Sequence, residues 1–254
     1  MAEEEKQEQY VVLARKYRPQ NFEDLLGQDA LVQTLTNAIN NNRLHHAYIL
    51  TGIRGVGKTT TARLIAKALN CTGPDGSGGP TTHPCGICEN CKSIAAGRNI
   101  DVLELDAASR TGVDDIRDIL DGVRYKPTNC RYKIYIIDEV HMLSKSAFNA
   151  LLKTLEEPPA HVKFIFATTE IRKVPVTVLS RCQRFDLQRL SIEDLLKLFN
   201  KIIAAEDLKA DDEALHMIAT AADGSARDGL SLLDQAISLG GGKVRIDIVK
   251  EMLG

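Results

Sequence analysis

No stretch of this 254-residue sequence approaches the ~18 consecutive apolar residues that a membrane-spanning helix needs. A membrane partner is therefore not expected. An excess of one charge is missing as well: 32 Lys and Arg stand against 34 Asp and Glu, a formal net charge of −2. That balance excludes a uniformly basic nucleic-acid binder. The opening MAEEEKQEQ is acidic and polar, unlike a secretory or transit leader, and a cytoplasmic chain is the expectation. No internal repeat is found, which sets solenoids aside.

What is present reads as an ordinary globular protein, 44% hydrophobic and 26% charged, long enough for one large domain or two. The charge is unevenly spread. Residues 1–9 carry one Lys and four Glu, and 184–254 carry nine basic and thirteen acidic residues; subtraction leaves 10–183 with 22 basic and 17 acidic. The middle is mildly basic between acidic flanks, which permits phosphate contacts. Residues 1–9 are expected to be a disordered acidic tail.

Short apolar runs at Ala47–Thr51, Asp101–Asp106, Lys133–Asp138 and Val162–Thr168, with a shorter one at Arg184–Leu187, read as strands. Helical patterns at Ala30–Asn40, Lys58–Leu69, Val113–Val123 and Ser146–Leu155 precede or separate them. The alternation predicts an α/β domain around a parallel sheet. From Ser191 onward only helices are read, at Ser191–Glu206, Asp211–Ala222 and Ser225–Leu239. The expected domains are thus 10–184, with a parallel sheet, and a small all-α domain at 185–254.

Gly52-Ile53-Arg54-Gly55-Val56-Gly57-Lys58-Thr59 fits G-x-x-x-x-G-K-[ST], between a strand and a helix. Backbone N–H groups of such a loop curl around phosphates, and the helix N-terminus behind it favours negative charge. Lys58 is expected on the β/γ-phosphates, and the Thr59 hydroxyl on Mg²⁺. Lys133–Glu139, KIYIIDE, ends an apolar strand in two acids. Asp138 is expected to hold Mg²⁺, and Glu139 to orient and deprotonate the attacking water. Against a Gly-rich turn and a solvated acidic pair, this combination reads as a P-loop ATPase.

Cys85-x2-Cys88-x2-Cys91, with Cys71 fourteen residues upstream, supplies four thiolates able to close a structural Zn²⁺ site. The thirteen residues between Cys71 and Cys85 have no core of their own, so the metal would stabilise a module at 71–97. An iron–sulfur cluster and free thiols are the alternatives, and His83 competes with Cys71 as fourth ligand. Cys130 and Cys182 read as reduced and unligated.

Several segments together carry a resemblance: LARKYRP, GIRGVGKTT, CGICENC, LDAASRTGVDDIR, IIDEVHMLS, FNALLKTLEEPP, FATTE, VPVTVLSRC and GSARDGLSLLDQAI. The chain resembles the tau/gamma (DnaX) subunits of the bacterial DNA polymerase III clamp loader, which are AAA+ ATPases. The resemblance implies an ATPase domain with an inserted zinc module, a helical lid, and a motor that hydrolyses ATP to ADP and phosphate. It places that motor within the holoenzyme, a nucleotidyltransferase assembly, loading the sliding clamp on primed DNA beside other clamp-loader subunits.

It also implies roles for single residues. Arg181, in Ser-Arg-Cys, resembles an arginine finger acting on ATP of a neighbouring subunit. Arg227 resembles the sensor-2 arginine of the lid, and Arg18-Pro19 with nearby Val11 and Val12 the segment around the adenine. Thr60 falls with the nucleotide loop. Thr168 and Thr169 fall at sensor 1, and strand alternation lets one of them face the site. An inert scaffold subunit of the same assembly and another AAA+ nucleic-acid ATPase, such as a branch-migration helicase, are the rival functions. In the family the chain continues into a collar domain; this sequence stops at Met252-Leu253-Gly254, so a piece of a longer subunit is expected, monomeric or weakly associated by itself.

Overall fold

The computed structural model describes residues 10–110 and 112–254; the expected acidic tail, residues 1–9, lies outside them. Two units are distinguished. One is Pro19–Arg189, and the other joins the described residues up to Arg18 with Leu190–Gly254.

In the larger unit, strands β1 (Ala47–Thr51), β2 (Val102–Asp106), β3 (Lys133–Asp138), β4 (Val162–Thr168) and β5 (Gln183–Asp186) form one sheet in the order β2-β3-β4-β1-β5. Every pairing is parallel. β1, β3 and β4 run through the centre as near-continuous apolar segments because both faces of a parallel sheet are covered. Pleating divides their side chains. Tyr48, Leu50, Ile134, Ile136, Ile165 and Ala167 pack in one core cluster, and Ala47, Ile49, Tyr135, Ile137, Phe164 and Phe166 in the other.

Helices fill both layers. In chain order they are α1 (Leu13–Lys16), α2 (Asp29–Asn40), α3 (Lys58–Asn70), α4 (Glu89–Ala95), α5 (Val113–Val123), α6 (Lys145–Glu156) and α7 (Val176–Leu179). Side chains of α2, α3 and α4 join the first cluster and those of α5, α6 and α7 the second, while α1 belongs to the smaller unit. Ser144 caps α6 by accepting from Ala147 N–H, 3.2 Å. From the C-terminal end of β1 the chain crosses to β2 at the far edge, while β5 lies on the other side. Such a reversal leaves a crevice beyond the strand ends.

The smaller unit holds α8 (Ile192–Ala205), α9 (Asp212–Ala221), α10 (Ala226–Leu239) and α11 (Ile246–Leu253). Ser191 and Ser225 cap α8 and α10 through their hydroxyls. Against the all-α expectation, Lys209–Ala210 and Lys243–Val244 pair as two-residue parallel strands. Runs this short leave no periodicity to read. Residues 10–18, expected with the ATPase domain, fall in this unit instead. Tyr10 and Tyr17 donate their hydroxyls to Asp234 and Glu206, Leu13 N–H reaches Asp234 Oδ2 at 3.3 Å, and Lys16 pairs with Glu206 at 2.6 Å. The boundary falls at Arg189–Leu190, five residues beyond the expected one. Among the described residues, no helix is long and apolar enough to cross a membrane.

Candidate functional site

The glycine-rich loop leaves β1 and enters α3 with Gly52, Gly55 and Gly57 at positive φ, +153°, +76° and +107°. A side chain on Gly52 would have its Cβ 2.9 Å from the Leu187 carbonyl oxygen, so β5's exit and the loop can meet only at glycine. Lys58 opens α3 and is buried. Its ammonium donates to the carbonyls of Gly52 at 3.1 Å and Ile53 at 2.9 Å, folding the side chain across the loop. Burial pulls the Lys58 ammonium below its ordinary range, against the upward influence of Glu139 and Asp138.

β3 delivers the acids. Asp138 shares the pleat face of Ile134 and Ile136, the face covered by α3, and so accepts from Thr59 Oγ1 at 2.5 Å. Ile53, Arg54 and Val56 complete the loop; Thr60 follows Thr59 in α3 and is partly buried. Glu139 adopts the left-handed region, φ +48° and ψ +44°, a costly backbone for a non-glycine residue. The turn that follows, Val140–Met142, brings His141 back beside Glu139. Glu139 Oε2 accepts from Thr169 N–H at 3.3 Å and Thr169 Oγ1 at 3.0 Å, with His141 Nδ1 at 3.3 Å. Thr168 is buried and lies 2.9 Å from His141 Nδ1 through its hydroxyl. The two threonines thus divide: Thr169 meets Glu139 directly, and Thr168 meets it through His141. The sequence reading assigned no role to His141, although it stands two residues after Glu139.

The remaining expected residues lie elsewhere. Arg181 follows α7, donating to Thr177 O at 2.6 Å and pairing with Glu156 at 2.6 Å. Arg227 is exposed in the first turn of α10. Arg18 and Pro19 stand either side of the division between the units, and Val11 and Val12 are exposed.

At the cysteine cluster, the four sulfurs of Cys71, Cys85, Cys88 and Cys91 all lie within 4.8 Å of one another. Backbone N–H groups aim at them: Cys85 N to Cys71 Sγ, 3.3 Å; Cys88 N to Cys85 Sγ, 3.3 Å; Cys91 N to Cys88 Sγ, 3.4 Å. Donors of this kind favour thiolate, so the donor set fits a soft divalent cation. His83 is not among the four; it is exposed and pairs with Glu23 at 3.0 Å. Arg131 holds the loop between the ligands, donating to Leu69 O at 2.5 Å, Cys71 O at 3.3 Å and Gly78 O at 2.7 Å.

Fold and site together define a P-loop nucleotide-binding domain of AAA+ type with a helical lid. A family model described as the DNA polymerase III delta subunit matches residues 27–191. A second, the ATPase lid domain of a DNA polymerase III clamp loader subunit, matches 195–242. DNA polymerase III subunit tau of Salmonella typhimurium is 54% identical over 96% of this chain and 37% of its own length. Subunit gamma of a Buchnera aphidicola strain is 51% identical over 96% of this chain and 66% of its own. The chain belongs to the DNA polymerase III clamp-loader subunit family, of tau/gamma type. It spans a little over a third of the tau relatives. Among solved structures, Thermotoga maritima RuvB, described as a Holliday junction branch migration motor, matches with TM-score 0.65 at 20% identity. That match covers 92% of this chain and 71% of the other, and at this identity it shows the fold alone.

Proposed function

We propose that this chain is an ATP-hydrolysing motor subunit of a clamp loader, acting with other loader subunits on a sliding clamp and primed DNA. The observation that carries the reading is the convergence of Lys58, Thr59, Asp138 and Glu139 on one crevice beyond the sheet. An inert scaffold needs none of the four.

The loop's N–H groups and the start of α3 would receive the phosphates, with Lys58 exchanging the Gly52 and Ile53 carbonyls for β/γ-oxygens. Thr59 and Asp138 would hold Mg²⁺, which supplies charge neutralisation on the phosphates. Glu139 would take a proton from the water as its oxygen bonds to the γ-phosphorus, while the bond to the departing ADP oxygen breaks. Arg181 lies outside this hydrogen-bonded group and would act on a neighbour's phosphates after releasing Glu156. Arg227 would report nucleotide state to the lid, and Arg18 and Pro19 would border the adenine. Zn²⁺ held by the four cysteines would have no open position and would serve structure.

Lys58→Ala should abolish binding of a fluorescent ATP analogue, measured by anisotropy. Unchanged affinity would sink the site assignment. Metal analysis of the purified chain should return about one zinc per chain; folded, metal-free protein would refute the ligand set.

A further inference from the structure

We propose that His141 is a positioning residue for Glu139, fixing where the carboxylate of the proposed base stands and thereby setting turnover rather than nucleotide affinity. The inference rests on the reading of Glu139 given above. It starts from backbone geometry. The left-handed conformation at Glu139 ends β3 abruptly, and Met142 N–H closes the turn onto Glu139 O at 2.9 Å. The imidazole, 6% exposed, is thereby inserted between the end of β3 and the end of β4. Both ring nitrogens face polar partners: Nδ1 is 2.9 Å from Thr168 Oγ1 and 3.3 Å from Glu139 Oε2, and Nε2 is 3.5 Å from Glu170 Oε1. Thr168 Oγ1 also accepts from Glu170 N–H at 3.0 Å, so the hydroxyl and the ring share one bonded group.

A histidine that merely filled core would present its ring to apolar atoms. This one spans Glu139 on one side and the β4 terminus on the other. Because Thr169 grips the same Oε2 atom, removing His141 leaves the carboxylate held from one side only. The glycine-rich loop is untouched, since among the described residues the polar contacts of His141 are Thr168, Glu139 and Glu170 rather than Lys58, Thr59 or Asp138.

The test uses the full-length subunit assembled with its loader partners, reading ATP turnover and ATP-analogue affinity separately. His141→Ala should lower kcat about tenfold, as loss of one close polar contact to a charged group implies, with Kd within about twofold of wild type. His141→Asn places an amide nitrogen near the Nδ1 position and should recover most of the rate; His141→Gln, whose amide extends toward Nε2, should not. In a Glu139→Gln background, His141→Ala should cause no further loss. If His141→Ala does not fold, the Asn and Gln pair carries the comparison. Unchanged kcat in His141→Ala, or equal losses in the Asn and Gln variants, would overturn the proposal. Lys58→Ala is assayed alongside: if it still binds nucleotide, the reading of the site fails and the His141 role falls with it. If it loses binding while His141→Ala stays fully active, only the His141 role is overturned.

Discussion

Two half-buried cysteines outside the four-cysteine cluster show what burial does to a side chain. Desolvation pushes the Cys182 thiol up to about 12 and the Cys130 thiol up to about 11. At about pH 8 the Cys182 thiolate is then on the order of one part in ten thousand. Both should resist iodoacetamide in the native protein and react once it is unfolded, as read by peptide mass spectrometry; native labelling at either would contradict the burial. The same shifts carry a pH dependence. The unfolded thiols titrate near their ordinary values, so above about pH 9 the folded state holds more protons than the unfolded one, and stability falls as pH rises toward about 12. Tyr135, raised by burial to about 12, adds to this loss. Melting temperature should therefore drop with pH above about 9, less steeply in a Cys130→Ala/Cys182→Ala variant. At this scale the sequence was legible where the residues that the fold brings together sit on neighbouring positions: Lys58 with Thr59, Asp138 with Glu139. His141 was not, because its partners Thr168 and Glu170 are 27 and 29 positions away, across a turn that only the left-handed Glu139 creates.

α3 and its loop illustrate how an element depends on glycine for two different reasons. Gly57 caps the helix at φ +107° with nothing within 4 Å of an added Cβ, so Gly57→Ala bears only a backbone penalty of about 1–2 kcal/mol. Gly52→Ala meets backbone, the Leu187 carbonyl, at 2.9 Å. Thermal denaturation should rank Gly52→Ala as the more damaging; the reverse order would mean the loop is not pressed against Leu187. If the four cysteines hold zinc as proposed, the segment from Cys71 to Cys91 depends on that metal in the same local way. Chelation should open residues 72–84 to protease while the sheet stays protected, and an unchanged cleavage pattern would argue against a metal staple. The long helices and the central strands could be read from periodicity because packing on one or two faces imposes it. α4 could not: it is seven residues long, and its cap is the Cys88 sulfur accepting from Cys91 N–H, a residue outside the usual capping set.

For the whole molecule, the site is half of an active unit if Arg181 serves a neighbour. Arg181→Ala should leave ATP-analogue binding intact and remove turnover in the assembled complex, and wild-type turnover by a chain shown to be monomeric would contradict action in trans. The sheet order was not legible from the sequence, since strands read equally well in any order; the central strands β1, β3 and β4 were, because covered on both faces they had to be almost continuously apolar. Residues 10–18 were misplaced for a related reason: YVVLARKYRP has apolar and basic residues but no period that says which unit it packs on. Its partners, Asp234 and Glu206, stand some 190–220 positions further along. That separation has a consequence for synthesis. The segment leaves the ribosome ahead of the larger unit, and about 170 residues must follow before its partners begin to emerge. At roughly 5–20 residues per second the wait is on the order of 10–30 seconds. The nucleotide-binding unit, Pro19–Arg189, can fold during that interval, before residues 10–18 meet the partners they pack on.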